Sequence, residues 1–356
     1  MKYPHQIEIS ALLPQLDQHD AIIDVRSPSE YAQDHIPGAV NYPVLDDEQR
    51  ILVGTLYKQV GAFEAKRLGA ALVSQNIAHH LQHAWHAHPR QWRPLLYCWR
   101  GGNRSGAAAY ILAKIGWQVT LLDGGYKEYR RYLISNLPKL TSNLRFIVLC
   151  GTTGSGKSRL LRALGNQGAQ ILDLEELAMH RGSVMGSLPN LAQPAQKAFE
   201  SAIWGKLRQF DVTRPVYVEA ESKKVGNLRV PESLMNSIRN ARCIVLHADY
   251  ALRVDMLLQD YAHFVQQPEL LIQQLHFLRQ QHGQARIGQW QNMCQQADQL
   301  PTLVQQLLLE HYDPSYLRSM IRNFACYPQA EHVQLEDISP SAMQQLASKI
   351  LLLETR

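Results

Sequence analysis

Along the first 136 residues, short apolar runs alternate with stretches of helical periodicity. AIIDV (21–25), LLYC (95–98) and QVTLLD (118–123) have the length and β-branched or aliphatic content of buried strands. RSGAAAYILAKIG (104–116) and YKEYRRYLISN (126–136) bring apolar residues back at helical spacing, so this half predicts an open α/β arrangement. LPKLTSN (137–143) mixes proline with polar residues and is predicted to link two domains. Strand signals resume at LRFIVLC (144–150), AQILDL (169–174), VYVEA (216–220) and RCIVLHA (242–248), with helical stretches between them. That alternation predicts a second α/β domain with a parallel sheet. From about residue 250, leucine- and glutamine-rich segments such as PELLIQQLHFLRQQHG (268–283) predict helices. The expected organisation is an α/β domain over 1–140, a second over 141–250, and a helical C-terminal region, 251–356, packed on the second.

Composition narrows the setting. An apolar share of 46% over 356 residues suits packed cores. Five cysteines, at 98, 150, 243, 294 and 326, form no close Cys-x-x-Cys pair, which argues against a disulfide framework and a structural zinc site. No apolar run reaches eighteen residues, and MKYPHQIEIS lacks the pattern of a secretory leader, so a cytoplasmic protein without a membrane partner is expected. The formal charge of +5 permits a polyanionic partner without requiring one.

Two segments carry chemistry. In the first, YCWRGGNRSG (97–106), a strand ends in Cys98 and a helix opens near Arg104. Backbone N–H groups and a helix N-terminus around the sulfur would stabilise a thiolate, the nucleophilic form, and the same donors would hold an anion arriving at it. Arg100 and Arg104 add positive charge, and Gly101-Gly102 supply the turn. A buried, inert cysteine at a strand end needs none of these neighbours. With IIDVRSPSEYAQDHIPGAVNYP (22–43), which contains Asp24-Val25-Arg26 and His35-Ile36-Pro37-Gly38-Ala39, the segment resembles rhodanese-like domains. The resemblance implies that Cys98 takes up a chalcogen atom. Five residues lie between Cys98 and Arg104, one more than single-domain rhodaneses commonly have and the spacing of rhodanese-fold phosphatases and arsenate reductases, so a phosphate-sized oxyanion is expected in the loop.

The second segment, Gly151-Thr152-Thr153-Gly154-Ser155-Gly156-Lys157-Ser158, fits G-x4-G-K-[ST] after a predicted strand and before a predicted helix. Such a loop wraps a diphosphate with its amides, neutralises it with Lys157 and offers the Ser158 hydroxyl to Mg²⁺. The usual metal-holding aspartate on a neighbouring strand is replaced by Glu219 and Glu221 of VYVEAES, which argues against ordinary nucleotide hydrolysis. Asp173 is a further metal or substrate carboxylate, or else a helix cap.

Taken together, with GTLYKQVGAFEAKRLGAAL (54–72), LDLEELAMHRGSVMG (172–186) and VEAESKKVGNLRVPE (218–232), residues 10 to 330 resemble the bacterial tRNA 2-selenouridine synthase family. The resemblance implies a rhodanese-like domain fused to a P-loop NTPase-like domain. It further implies S-geranylation of a wobble 2-thiouridine in tRNA by geranyl diphosphate, then replacement of the geranylthio group by selenium from selenophosphate. Cys98, with Arg100, Gly101, Gly102 and Arg104, would then handle selenophosphate, and the loop 151–158 the prenyl diphosphate. His180 and Arg181, and the basic stretch Lys223, Lys224 and Arg229, are candidate tRNA contacts. His79, His80, His83, His86 and His88 have no acidic companion and read as a solvated helix face. Two other readings stay open: a Cys-dependent phosphatase or arsenate reductase fused to a P-loop kinase, and a non-catalytic nucleotide switch. The first lacks a nearby general acid and has bulky Trp99 in its cradle, and the second leaves the cysteine unexplained.

Overall fold

The computed structural model describes residues 3–183, 185–187 and 191–354, and the chain divides into two compact units, 1–137 and 138–356. In the first unit β1 (His5–Ile7), β2 (Ala21–Asp24), β3 (Ala39–Asn41), β4 (Pro94–Tyr97) and β5 (Thr120–Leu122) form a parallel sheet in the order β1-β5-β4-β2-β3. The central strand β4 is buried along its whole length, which explains the uninterrupted apolar run there. Ile23, Leu96, Leu112 and Leu121 share one core with Trp85 and Trp92. Cys98 emerges at the C-terminal end of this central strand.

The boundary between the units, 137/138, falls within LPKLTSN, but that segment is helical and not a connecting loop. Gly125–Asn143 is one helix of 19 residues that continues through Pro138. Buried Leu133, Leu137 and Thr141 recur every fourth residue, so burial of this stripe outweighs the helix penalty of an interior proline, about 3 kcal/mol.

The second unit contains β6 (Phe146–Cys150), β7 (Gln170–Leu172), β8 (Val216–Glu219), a hairpin of β9 (Lys224–Val225) and β10 (Leu228–Arg229), β11 (Arg242–Ala248) and β12 (Glu331–Leu335). Its main sheet is parallel, in the order β12-β11-β6-β8-β7. The chain steps to opposite sides of β6, which places the crevice for a ligand at the C-terminal end of that strand. The region after 250 is largely helical, but it also contributes β12, whose buried Val333 and Leu335 alternate with outward polar residues along five pairs with β11. Helix Pro340–Leu353 then sets Met343, Ala347 and Ile350 in the same core as Leu160, Leu161 and Leu164 of helix Lys157–Asn166. A separate helical core gathers Phe264, Leu271, Leu275, Trp290, Leu300 and Leu307.

Candidate functional site

Cys98 is buried at the end of β4, and its sulfur accepts a hydrogen bond from the Ser105 hydroxyl at 3.1 Å. Helix Asn103–Ile115 begins directly after Gly102, so its first turn faces the loop. A second helix start closes on the loop from the other side. Tyr126 N–H donates to the Cys98 carbonyl at 2.8 Å and Lys127 N–H to the Trp99 carbonyl at 3.0 Å. Only glycine fits this seam. Gly101, at φ +65°, would bring a Cβ within 2.7 Å of the Leu122 carbonyl, and Gly125, at φ +57°, would bring one within 2.5 Å of Gly101 N and nearer still to the Cys98 carbonyl.

The two arginines of the loop differ. Arg100 is exposed, whereas Arg104 is held by Glu30, with Nη1 2.6 Å from Oε2 and Nη2 3.3 Å from Oε1. Burial alone would raise the Glu30 pKa, yet the Arg104 hydrogen bond and charge outweigh it and hold the carboxyl below its ordinary range. Arg104 therefore reaches the cradle already paired. Beneath the loop, Arg26 donates Nη2 to Asp24 at 2.6 Å and to the Asp34 carbonyl at 2.6 Å, and its guanidinium lies 3.9 Å from the Tyr126 ring centroid. Tyr126 in turn donates to Asp34 Oδ2 at 2.7 Å. The Asp24-Val25-Arg26 signature thus builds the buried floor that fixes the second helix against the cysteine loop.

In the second unit, Gly156 at φ +88° turns the chain from the loop into helix Lys157–Asn166. Lys157 Nζ donates to the carbonyls of Gly151 at 2.7 Å and Thr152 at 3.3 Å. Arg253, fully within the fold, donates Nε to the Thr153 carbonyl at 2.9 Å while a two-point ion pair joins it to Asp313, with Nη2 to Oδ1 at 2.6 Å. The loop lines a cavity of about 660 Å³, a size suited to a small-molecule ligand. Three carboxylates, Glu175, Glu219 and Glu221, meet there with oxygens within 4.8 Å of one another. Burial, then the charges of Glu219 and Glu221, push Glu175 up to about 9. Burial, then Glu219, push Glu221 up to about 8. Burial also raises Glu219, against the nearby Lys157 charge, and its Oε1 has no hydrogen-bond partner. Such an all-oxygen set with an orphaned buried oxygen fits a hard divalent cation. Asp173 caps helix Leu174–Ala178, accepting from Glu176 N–H at 2.8 Å, and also lines the cavity. It stands outside the three-carboxylate group.

The segment after that helix folds over the carboxylates. A Cβ on Gly182, at φ +66°, would lie 2.7 Å from Glu175 Oε1. His180 and Arg181 line the same cavity, His180 with an unpartnered, buried Nδ1 and Arg181 bonded to the Asp260 carbonyl and 4.8 Å from the Tyr261 ring centroid. Val184 of this segment lies outside the described residues. Lys223, Lys224 and Arg229 do not line the cavity and are exposed on and beside the β9–β10 hairpin. Next to the cavity lined by the P-loop, and sharing Thr153, Ser183, Leu257, Tyr261 and Tyr312 with it, lies an apolar pocket walled by Met185, Phe264, Val265, Leu271, Leu300, Val304 and Leu307. Among the described residues the histidines of 79–88 form no metal group. His79 and His83 are exposed, and His80 Nε2 lies 2.9 Å from the Pro43 carbonyl.

Glu30, Ser105, Gly125, Glu175, Arg253, Asp313 and Tyr316 join these sites without belonging to either loop motif, 98–104 or 151–158. Ser105 stands beside Arg104 and Gly124-Gly125 opens a helix, so those two had a local signal, whereas the others reach their sites through packing alone.

Residues 144–326 match the model of the tRNA 2-selenouridine synthase AAA domain, and residues 8–132 that of the rhodanese-like domain. The chain is similar to proteins named tRNA 2-selenouridine synthase. It is 40% identical over 247 residues to that of Nitrosomonas europaea, covering 67% of this chain and 63% of the relative. It is 38% identical over 244 residues to that of Nitrosomonas eutropha, covering 67% and 62%. It is 33% identical over 339 residues to that of Hydrogenovibrio crunogenus, covering 86% of this chain and 92% of the relative. The match thus spans less than two thirds of the length of the two Nitrosomonas relatives.

Proposed function

The chain belongs to the tRNA 2-selenouridine synthase family, and from that premise we propose that it geranylates a wobble 2-thiouridine of tRNA in the second unit and exchanges the geranylthio group for selenium with the help of Cys98 in the first. The observation that carries the prenyl step is the apolar pocket that shares a wall with the phosphate cavity. A P-loop holds phosphates through backbone amides and does not by itself choose what they are attached to. An aliphatic and aromatic wall beside it favours an apolar tail over a nucleoside.

In this reading the loop amides and Lys157 hold the diphosphate of geranyl diphosphate, and the ten-carbon chain lies along Phe264, Leu271, Leu300 and Val304. The thiocarbonyl sulfur of the base attacks the allylic carbon, a C–S bond forms, and the C–O bond to diphosphate breaks. The uracil-type ring loses its N3 proton as the sulfur is alkylated, and that proton leaves with the diphosphate. Lys157 neutralises the charge that grows on the leaving diphosphate. Glu175, Glu219, Glu221 and Ser158 would hold Mg²⁺, which when bound supplies further charge to the leaving group. At the other site, selenophosphate would be the anion received by the loop from Cys98 to Arg104, with Ser105 orienting the sulfur.

Calorimetry with geranyl diphosphate, inorganic diphosphate and GTP tests the prenyl assignment. Burying most of ten carbons, at about 0.8 kcal/mol each less the cost of ordering the chain, predicts geranyl diphosphate to bind at least about tenfold tighter than inorganic diphosphate. Tighter binding of GTP with steady hydrolysis would favour a nucleotide switch instead.

A further inference from the structure

Tyr316 sits on helix Asp313–Asn323 and lines the phosphate cavity together with Gly154, Ser155, Lys157 and Ser158. Its phenol oxygen accepts the Gly151 N–H at 2.8 Å, while the Gly151 carbonyl accepts from Lys157 Nζ at 2.7 Å. The first residue of the loop is therefore clamped at both polar groups, and its amide is not free for an anion. A phenol that accepts one hydrogen bond still carries one O–H to donate. Among the described residues no acceptor takes that hydrogen. A donor left over at the wall of a cavity points to a ligand that accepts it.

We propose that Tyr316 donates its phenol hydrogen to the phosphate chain bound by the loop, so that the Gly151 amide acts on the anion through the tyrosine and helix Asp313–Asn323 supplies a side-chain donor to the cradle. Three features support this role. The chain N–H to O–H to anion is polarised in one direction, which strengthens each bond in it. The Lys157 ammonium lies 5.2 Å from the Tyr316 ring centroid, so one anion can meet both. The helix is also fixed to the loop at a second point, through Asp313, Arg253 and the Thr153 carbonyl, so the hydroxyl is held in place before a ligand arrives. Burial raises the phenol pKa well above its ordinary value, which keeps the proton on the oxygen at neutral pH. The inference rests on the loop taking a phosphate chain and not on the identity of the tail.

The test is calorimetry of the full chain with inorganic diphosphate. Tyr316→Phe is expected to bind it about tenfold more weakly. Because that change also removes the acceptor for Gly151, a second variant carries 3-fluorotyrosine at position 316, which makes the O–H a stronger donor and the oxygen a poorer acceptor. Donation to the anion predicts diphosphate binding tighter than wild type by about two- to fivefold in this variant. A tyrosine that only props up Gly151 predicts unchanged or weaker binding there, and that result overturns the proposal, as does a Tyr316→Phe protein that binds like wild type. If wild type fails to bind inorganic diphosphate, the phosphate-loop reading falls and this inference with it.

Discussion

At Gly125 a single hydrogen decides whether the cysteine loop can close. Its φ of +57° disfavours any L side chain, and the space a Cβ needs is taken by the backbone of Cys98, Arg100 and Gly101. Gly168 provides the control, since its φ is +82° but nothing lies within 4 Å of its Cβ position. Gly168→Ala should cost about 1 kcal/mol, the strain of the backbone alone, whereas Gly125→Ala should cost about 2–4 kcal/mol and slow alkylation of Cys98 by iodoacetamide. Thermal unfolding of the two variants checks the difference, and equal losses would contradict the packing described for the seam. Neither effect follows from composition, because glycine 125 is one of 21 and only the fold shows which backbone it must approach.

Elements bring together what the sequence keeps apart. The two loops were legible because each is a local pattern: a strand, a glycine turn and a helix start within a dozen residues. The carboxylate group was only half legible. Glu219 and Glu221 stand where a P-loop partner strand ends, but Glu175 comes from the short helix after β7 and looks like any helical glutamate until packing places it. Tyr316 and Arg253 are hidden for the same reason, 165 and 100 residues from the loop residues they touch, and Asp313 reaches the loop only through Arg253. β12 carries little strand signal because EHVQL has only two core-facing residues, and the proline in helix Gly125–Asn143 is a breaker signal that does not reveal the buried stripe that overrides it. The raised carboxyls also carry a pH dependence. With Glu175 near 9 and Glu221 near 8, both hold protons at pH 7, and a divalent cation must displace them. Raising the pH removes that competition, so Mg²⁺ should bind more tightly from pH 7 to 9, by up to about tenfold per unit for each proton released, and level off above. Titrations in buffers of different ionisation enthalpy would detect the released protons. Affinity independent of pH across this range would rule out these carboxylates as the ligands.

Across the whole molecule, the proposed function gives the two loops steps that make opposite demands. Alkylating sulfur calls for a stabilised leaving group and an apolar berth, which the P-loop cavity and its neighbouring pocket offer. Exchanging sulfur for selenium calls for a nucleophilic carrier, which Cys98 offers under its Ser105 hydrogen bond. Each proposed step thus has its own residue, and the two steps are separable by mutation. The most direct measurement is mass spectrometry of wobble nucleosides from 2-thiouridine tRNA incubated with the Cys98→Ala protein, geranyl diphosphate and selenophosphate. S-geranyl-2-thiouridine is expected to accumulate and 2-selenouridine to be absent. Selenation by Cys98→Ala at the wild-type rate, or loss of geranylation along with selenation in a protein that still folds and binds tRNA, would contradict this separation of steps.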